Sequence, residues 1–247
     1  MEGTTFWLLA VIAAMFVGLS KGGLPMAAAV SVPILALQIS PVAAAGLLLP
    51  VYIVSDMFGL WAYRKEFNGR VLAIICSAAT VGIGVGWATA ARVEERWVTL
   101  IVGLIGLAFV ANRVIQHRKV SEAQPARLVP GLFWGTIAGF TSFVSHAGGP
   151  PYQVYTIPLK MKRTVYAGTA TIAFAYINAV KLIPYFFLGQ ITLESLKIAA
   201  VLAIPAAAAV FLGVWLVKVV SEQRYYALIF SMLFVLSLKL VWDGLMG

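Results

Sequence analysis

The 247-residue sequence has little charge, only two histidines and a single cysteine. Charged residues make up 11% of the chain, less than half the ~25% of a soluble domain, too few to cover a water-exposed surface. Cys76 has no second cysteine to pair with, which excludes an internal disulfide. Two histidines and one cysteine also leave no cluster of ligands at metal spacing. Neither a Walker loop nor a G-x-S-x-G turn occurs, which removes the usual signs of nucleotide and serine-hydrolase chemistry. We therefore expect no enzyme: no catalytic residue, no metal and no cofactor. The first five residues carry no basic run, and no cleavage-like site follows the first apolar stretch, so no signal peptide is expected.

What the sequence does contain is apolar mass. Hydrophobic residues make up 62%, and mean hydropathy is +0.95. The apolar runs fall at about 5–19, 24–39, 41–63, 70–91, 96–115, 129–145, 150–160, 164–188, 193–217 and 223–242. A helix that crosses a bilayer takes ~20 residues, so these runs describe an all-α polytopic membrane protein with no soluble domain. The +9 net charge is then read as topology. Basic residues hold loops on the cytoplasmic side, so lipid is the expected partner and nucleic acid is not.

The polar stretch 116–128 divides the chain into 1–115 and 129–247, and the halves resemble each other. Ser20-Lys21-Gly22-Gly23-Leu24-Pro25 lines up with His146-Ala147-Gly148-Gly149-Pro150-Pro151. In the same order, Val32-Pro33-Ile34 matches Ile157-Pro158-Leu159, Val42–Gly46 matches Val165–Gly168, Asp56 falls opposite Asn178, and Glu94–Trp97 matches Glu222–Tyr225. Charge placement bears on orientation. With Arg64, Lys65 and Arg70 inside, the linker bases Arg113, Arg118, Lys119 and Arg127 also fall inside. So do Lys160, Lys162, Arg163, Lys218 and Arg224, while Arg92, Arg96 and Lys197 fall outside. One half then begins outside and the other inside, the arrangement of two inverted-topology repeats. Each repeat is read as a broken or re-entrant helix pair followed by three transmembrane helices, with 116–128 as a cytoplasmic linker. Two short tilted spans per pair would preserve the same inversion.

The two glycine-rich breaks are the expected tips of these hairpins. Glycine admits close approach to the backbone, and proline suits the first turn of a helix. Each tip is thus expected to begin a half-helix whose free N–H groups and positive dipole end attract an anion. Lys21 lies in apolar surroundings, where an ionised lysine costs about 3 kcal/mol, so it needs a ligand or a partner. His146 can donate a hydrogen bond or relay a proton. Asp56, the one acid deep in an apolar run, is either a proton site or the partner of Lys21. Lys181 shares a helix face with Asn178; it either joins the anion site or snorkels outward, the second being the expectation, and Lys239 is expected to snorkel. Ser20, Thr141, Ser142 and Ser145 crowd the tips, where hydroxyls serve either an oxyanion or the neighbouring helices.

The stretches Gly18–Met26 and Gly139–Pro151 resemble the TauE/SafE sulfite exporter family, and the likeness extends over essentially the whole chain. The resemblance implies a bacterial inner-membrane permease that moves sulfite, sulfoacetate or related anions. The expected function is therefore export of a small sulfur-containing oxyanion by alternating access, with the anion held between the two Gly-Gly breaks. Its expected ligands are Ser20, Lys21, Gly22, Gly23, Ser145, His146, Gly148, Gly149 and Asn178. Asp56 and His146 are the coupling candidates. The rival readings are an anion channel, a proton-coupled uptake permease for another organic anion, and a membrane enzyme or sensor subunit. An oligomer is compatible with all of them.

Overall fold

A computed structural model of the chain describes residues 3–39, 41–89, 92–115, 123–187 and 193–246. The described residues contain helices and no strand. The elements are α1 (Thr4–Lys21), a 3-10 turn (Ala27–Val30), α2 (Ser31–Ala36), α3 (Pro41–Tyr63), α4 (Gly69–Thr89), α5 (Glu95–Ile115) and α6 (Leu128–Ser145). They continue with α7 (Gly149–Thr156), a 3-10 turn (Ile157–Leu159), α8 (Arg163–Phe187), α9 (Leu193–Val219) and α10 (Glu222–Met246). Among the described residues, eight helices are long and apolar enough to cross a membrane. Of the linker read at 116–128, residues 116–122 lie outside the described residues, together with Arg118 and Lys119.

The two hairpins are less even than the sequence suggests. Their first arms, α1 and α6, have 18 residues each, or about 27 Å of helix at ~1.5 Å per residue. Their return arms are far shorter: Ala27–Ala36 in the first and Gly149–Leu159 in the second. Each pair is thus one arm of crossing length and one of roughly half that.

The chain forms two compact units, Met1–Phe67 with Arg163–Ser221, and Asn68–Lys162 with Glu222–Gly247. Each unit draws helices from both halves of the sequence. In the first unit α1 lies along α9, and α3 packs against both α9 and α8. Its core joins Phe6, Ala10, Ala13, Ala14 and Val17 of α1 to Leu35 of α2, Leu47, Leu48 and Val51 of α3, and Leu202 and Ala206 of α9. In the second unit α4 lies along α6, α5 along α10, and α7 against α5 and α6.

The hairpin helices α1 and α6 are packed in the same way. A Cβ added at Gly18 of α1 would lie 2.1 Å from the Ala206 carbonyl oxygen of α9, and one at Gly139 of α6 would lie 2.2 Å from that of Ala79 on α4. Both are glycine-to-backbone crossings, the close approach that small residues permit between membrane helices. Large apolar side chains such as Trp61, Phe186, Ile204 and Val235 remain exposed, as expected of surfaces turned to lipid chains.

Candidate functional site

Three charged residues are buried among the described residues: Lys21, Asp56 and Lys181, each at most 3% exposed. All three belong to the first unit. The helix period brings them there. The buried face of α1 runs Ala10, Ala13, Ala14, Val17, Gly18 and then Lys21, the 3.6-residue spacing of one stripe. Lys21 therefore continues the packed face of α1 inward. On α8, Ala167, Thr171, Asn178, Lys181 and Tyr185 are buried on the side that meets α3.

Asp56 is the centre of the cluster. Its Oδ1 lies 2.8 Å from Lys21 Nζ, and its Oδ2 accepts a hydrogen bond of 2.9 Å from Asn178 Nδ2. The positions aligned between the two halves, Asp56 and Asn178, thus meet directly. Lys21 Nζ also sits 5.2 Å from the Tyr52 ring centroid, a favourable place for a cation. Tyr52 in turn ties α3 to the first return arm, since its hydroxyl shares a 2.9 Å hydrogen bond with Ser31 and donates to Ala28 O at 3.2 Å. Lys181, one turn beyond Asn178, lies 5.8 Å from the Tyr185 ring centroid. The hydroxyl of Ser55 is buried with no hydrogen-bond partner among the described residues.

The first glycine tip departs from expectation. Gly22 N–H donates to Gly18 O at 2.8 Å, Gly23 N–H to Ser20 O at 3.2 Å, and Leu24 N–H to Leu19 O at 3.2 Å. Gly22-Gly23-Leu24-Pro25 is therefore the capped C-terminus of α1, not the start of a half-helix with free N–H groups. Its polarity is the reverse of an anion-attracting end, and it favours a cation such as Lys21 in the last turn. Two carbonyls left over at that end find hydroxyls from other helices: Thr171 Oγ1 donates to Lys21 O at 3.1 Å and Tyr63 OH to Gly22 O at 2.7 Å. The glycines serve backbone shape and packing. Gly23 has φ +109°, and a Cβ there would lie 2.5 Å from the Tyr63 hydroxyl oxygen; one at Gly22 would lie 2.5 Å from Val210 O.

The second tip, in the second unit, does begin a helix. α6 stops at His146, whose left-handed φ of 53° turns the chain. α7 then starts at Gly149 with Pro150 and Pro151 in its first turn. Hydroxyls that crowd the tips are engaged locally. Ser20 Oγ donates to Pro25 O at 3.4 Å, Thr141 Oγ1 to Ile137 O at 2.8 Å and Ser145 Oγ to Thr141 O at 3.2 Å. His146 is half-buried. Lys181 is a correction: it is buried beside Asn178 and does not snorkel. Lys239 is about two-fifths exposed and paired with Asp243, in keeping with a lysine near a span end.

The sequence reading missed Tyr52, Tyr63, Thr171 and Ser55. A signal existed for the first, since an aromatic residue one turn before an intramembrane acid is well placed to stack on that acid's cationic partner.

A family model described as sulfite exporter TauE/SafE matches residues 9–240. The chain belongs to the TauE/SafE family. It is a multi-pass membrane protein of a transporter family. The matched span contains Lys21, Asp56, Asn178 and Lys181, and both glycine tips. No curated protein and no solved structure matches the chain.

Proposed function

We propose that this TauE/SafE protein exports a small sulfur-containing oxyanion, such as sulfite or an organosulfonate, across the inner (plasma) membrane by alternating access. The observation that carries this reading is the charge of the buried cluster. With all three side chains ionised, two lysines and one aspartate carry one positive charge in excess, which a bound monoanion would neutralise. Buried charge of this kind marks substrate and ion pathways in membrane proteins. The likeness of the α1–α9 and α4–α6 crossings, with the Asp56–Asn178 bond, supports two related halves. In this reading the anion is held by Lys21, Lys181 and Asn178 in the first unit, and the Gly22-Gly23 pair shapes the site without donating to the ligand.

Export also has a driving force. One negative charge leaving the cell gains about 2.3 kcal/mol per 100 mV of inside-negative potential. Asp56 supplies a route to proton coupling, because it competes with the substrate for Lys21 and releases that lysine when protonated. His146 is the second coupling candidate, as an imidazole able to relay a proton.

The test is flux of labelled sulfite and sulfoacetate from liposomes containing the full chain. Wild type is expected to carry both anions and to support counterflow. Lys181→Met removes the excess charge and keeps the Lys21–Asp56 pair, so it is expected to fold and to lose at least about tenfold in flux, equivalent to ~1.4 kcal/mol. Wild-type flux in Lys181→Met overturns the site. Large currents without counterflow identify a channel, and a chemical product without solute movement identifies an enzyme.

A further inference from the structure

Gln153 on α7 is fully buried. Neither its Nε2 nor its Oε1 has a hydrogen-bond partner among the described residues. In a membrane protein an amide left unpaired is strongly unfavourable, because no bulk water reaches it. Three hydroxyls of the same hairpin are bound elsewhere. Thr156 Oγ1 donates to Tyr152 O at 2.8 Å, and the hydroxyls of Thr141 and Ser145 are engaged with carbonyls of their own segment.

Gln153 stands one turn beyond the start of α7. Pro150 and Pro151 have no N–H, so Gly149 offers the first N–H of that turn at the positive end of the helix. Side chains on a helix lean back toward its N-terminus, a direction that would bring the Gln153 carboxamide toward the turn that Gly149 begins. Among the described residues, the buried ones of the second unit include no charged side chain, unlike the lysine cluster of the first unit.

A ligand that satisfies Gln153 must accept from Nε2–H and donate to Oε1. A fully ionised sulfonate only accepts, and it would place an anionic oxygen against Oε1. A singly protonated oxyanion such as hydrogensulfite does both. We propose that Gln153 and the first turn of α7 form a second binding site, in the second unit, that selects a monoprotonated oxyanion. Nε2–H and the Gly149 N–H donate to its anionic oxygens, and Oε1 accepts its acidic proton. The choice of oxyanion rests on the transport reading above, whereas the site rests on Gln153.

The experiment is a thermal-shift titration of the full chain in detergent. Sulfite is used at a pH where hydrogensulfite predominates, with methanesulfonate as the anion that carries no proton. Wild type, Gln153→Leu and Lys181→Met are compared. Gln153→Leu is expected to weaken hydrogensulfite binding about tenfold and to leave the methanesulfonate response unchanged. Its ligand-free melting point is expected at or above that of wild type, because an orphan amide has been removed. Lys181→Met is expected to weaken both anions. Undiminished hydrogensulfite binding by Gln153→Leu overturns the second site alone. A lowered ligand-free melting point with unchanged anion responses does the same, and assigns the amide to a structural water. If wild type responds to neither anion, the transport reading fails and takes this ligand with it. Gln153→Met replaces the leucine variant if that variant does not fold, with the same expectations.

Discussion

Asp56→Leu is expected to destabilise the protein by about 3–5 kcal/mol, the usual cost of removing one partner of a buried ion pair. The carboxylate is the only buried anion among the described residues; it pairs with Lys21, and Lys181 is buried one turn from its other partner, Asn178. Its loss leaves Lys21 and Lys181 in one apolar region with nothing of opposite sign between them. It also removes the acceptor of the Asn178 amide. The same reasoning makes the defect repairable. Adding Lys21→Met removes one of the two stranded charges while keeping most of the side-chain volume. A buried pair replaced by apolar residues is often neutral or stabilising, so the double variant is expected to recover most of the lost stability. It is not expected to recover flux, because Lys21 also holds the anion. Denaturant or thermal unfolding of the four proteins in one detergent measures the coupling. If Asp56→Leu unfolds with wild type, Asp56 does not hold two lysines together in an apolar interior.

Much of this arrangement is legible in the amino-acid order. The ~20-residue apolar runs define the spans, because bilayer thickness fixes helix length. Lys21 and Asp56 declare themselves as ionisable groups in apolar runs. The alignment of the halves sets Asp56 opposite Asn178, and their hydrogen bond places them side by side. The small residues before Lys21 repeat at helical spacing, so the stripe that buries it can be read from Ala10 onward.

Other features depend on contacts between distant segments. Gly22-Gly23 followed by Pro25 serves equally well to end a helix or to precede one, since glycine just past a helix and proline shortly after it are C-terminal signals. Only the length of α1 and its closing hydrogen bonds decide between the two. Lys181 stands near enough to a span end to snorkel, and what buries it is the packing of α8 on α3. Gln153 gives no signal in one dimension, because an unpaired amide exists only once its surroundings do. The division into two compact units is likewise a matter of packing, as each unit takes helices from both halves.

The second large effect is expected on α4, where two glycines two residues apart should answer oppositely to the same substitution. A Cβ at Gly82 would lie 2.0 Å from the Thr136 carbonyl oxygen and 2.7 Å from the Phe140 amide nitrogen, both backbone atoms of α6. Neither can rotate away as a side-chain end would, so Gly82→Leu must push α4 off α6. Overpacking costs about 1–3 kcal/mol and occasionally more, and here the atoms that have to move belong to two helix backbones. Gly84 has nothing within 4 Å of its Cβ position. Gly84→Leu therefore adds an apolar side chain in open space and gains helix propensity, about 0.8–1.0 kcal/mol on the Gly-to-Ala scale. The comparison cancels composition, helix identity and expression context, and leaves only the crossing. Gly82→Leu is expected to unfold well below wild type and Gly84→Leu at or slightly above it, read as melting temperatures in the same detergent. Equal melting of the two variants would mean that α4 and α6 do not meet backbone to backbone at this position. The matching test in the first unit is Gly18→Leu, which would meet the Ala206 carbonyl oxygen. It should also reduce sulfite flux, because α1 carries Lys21 at its end and any displacement from α9 shifts that lysine away from Asp56.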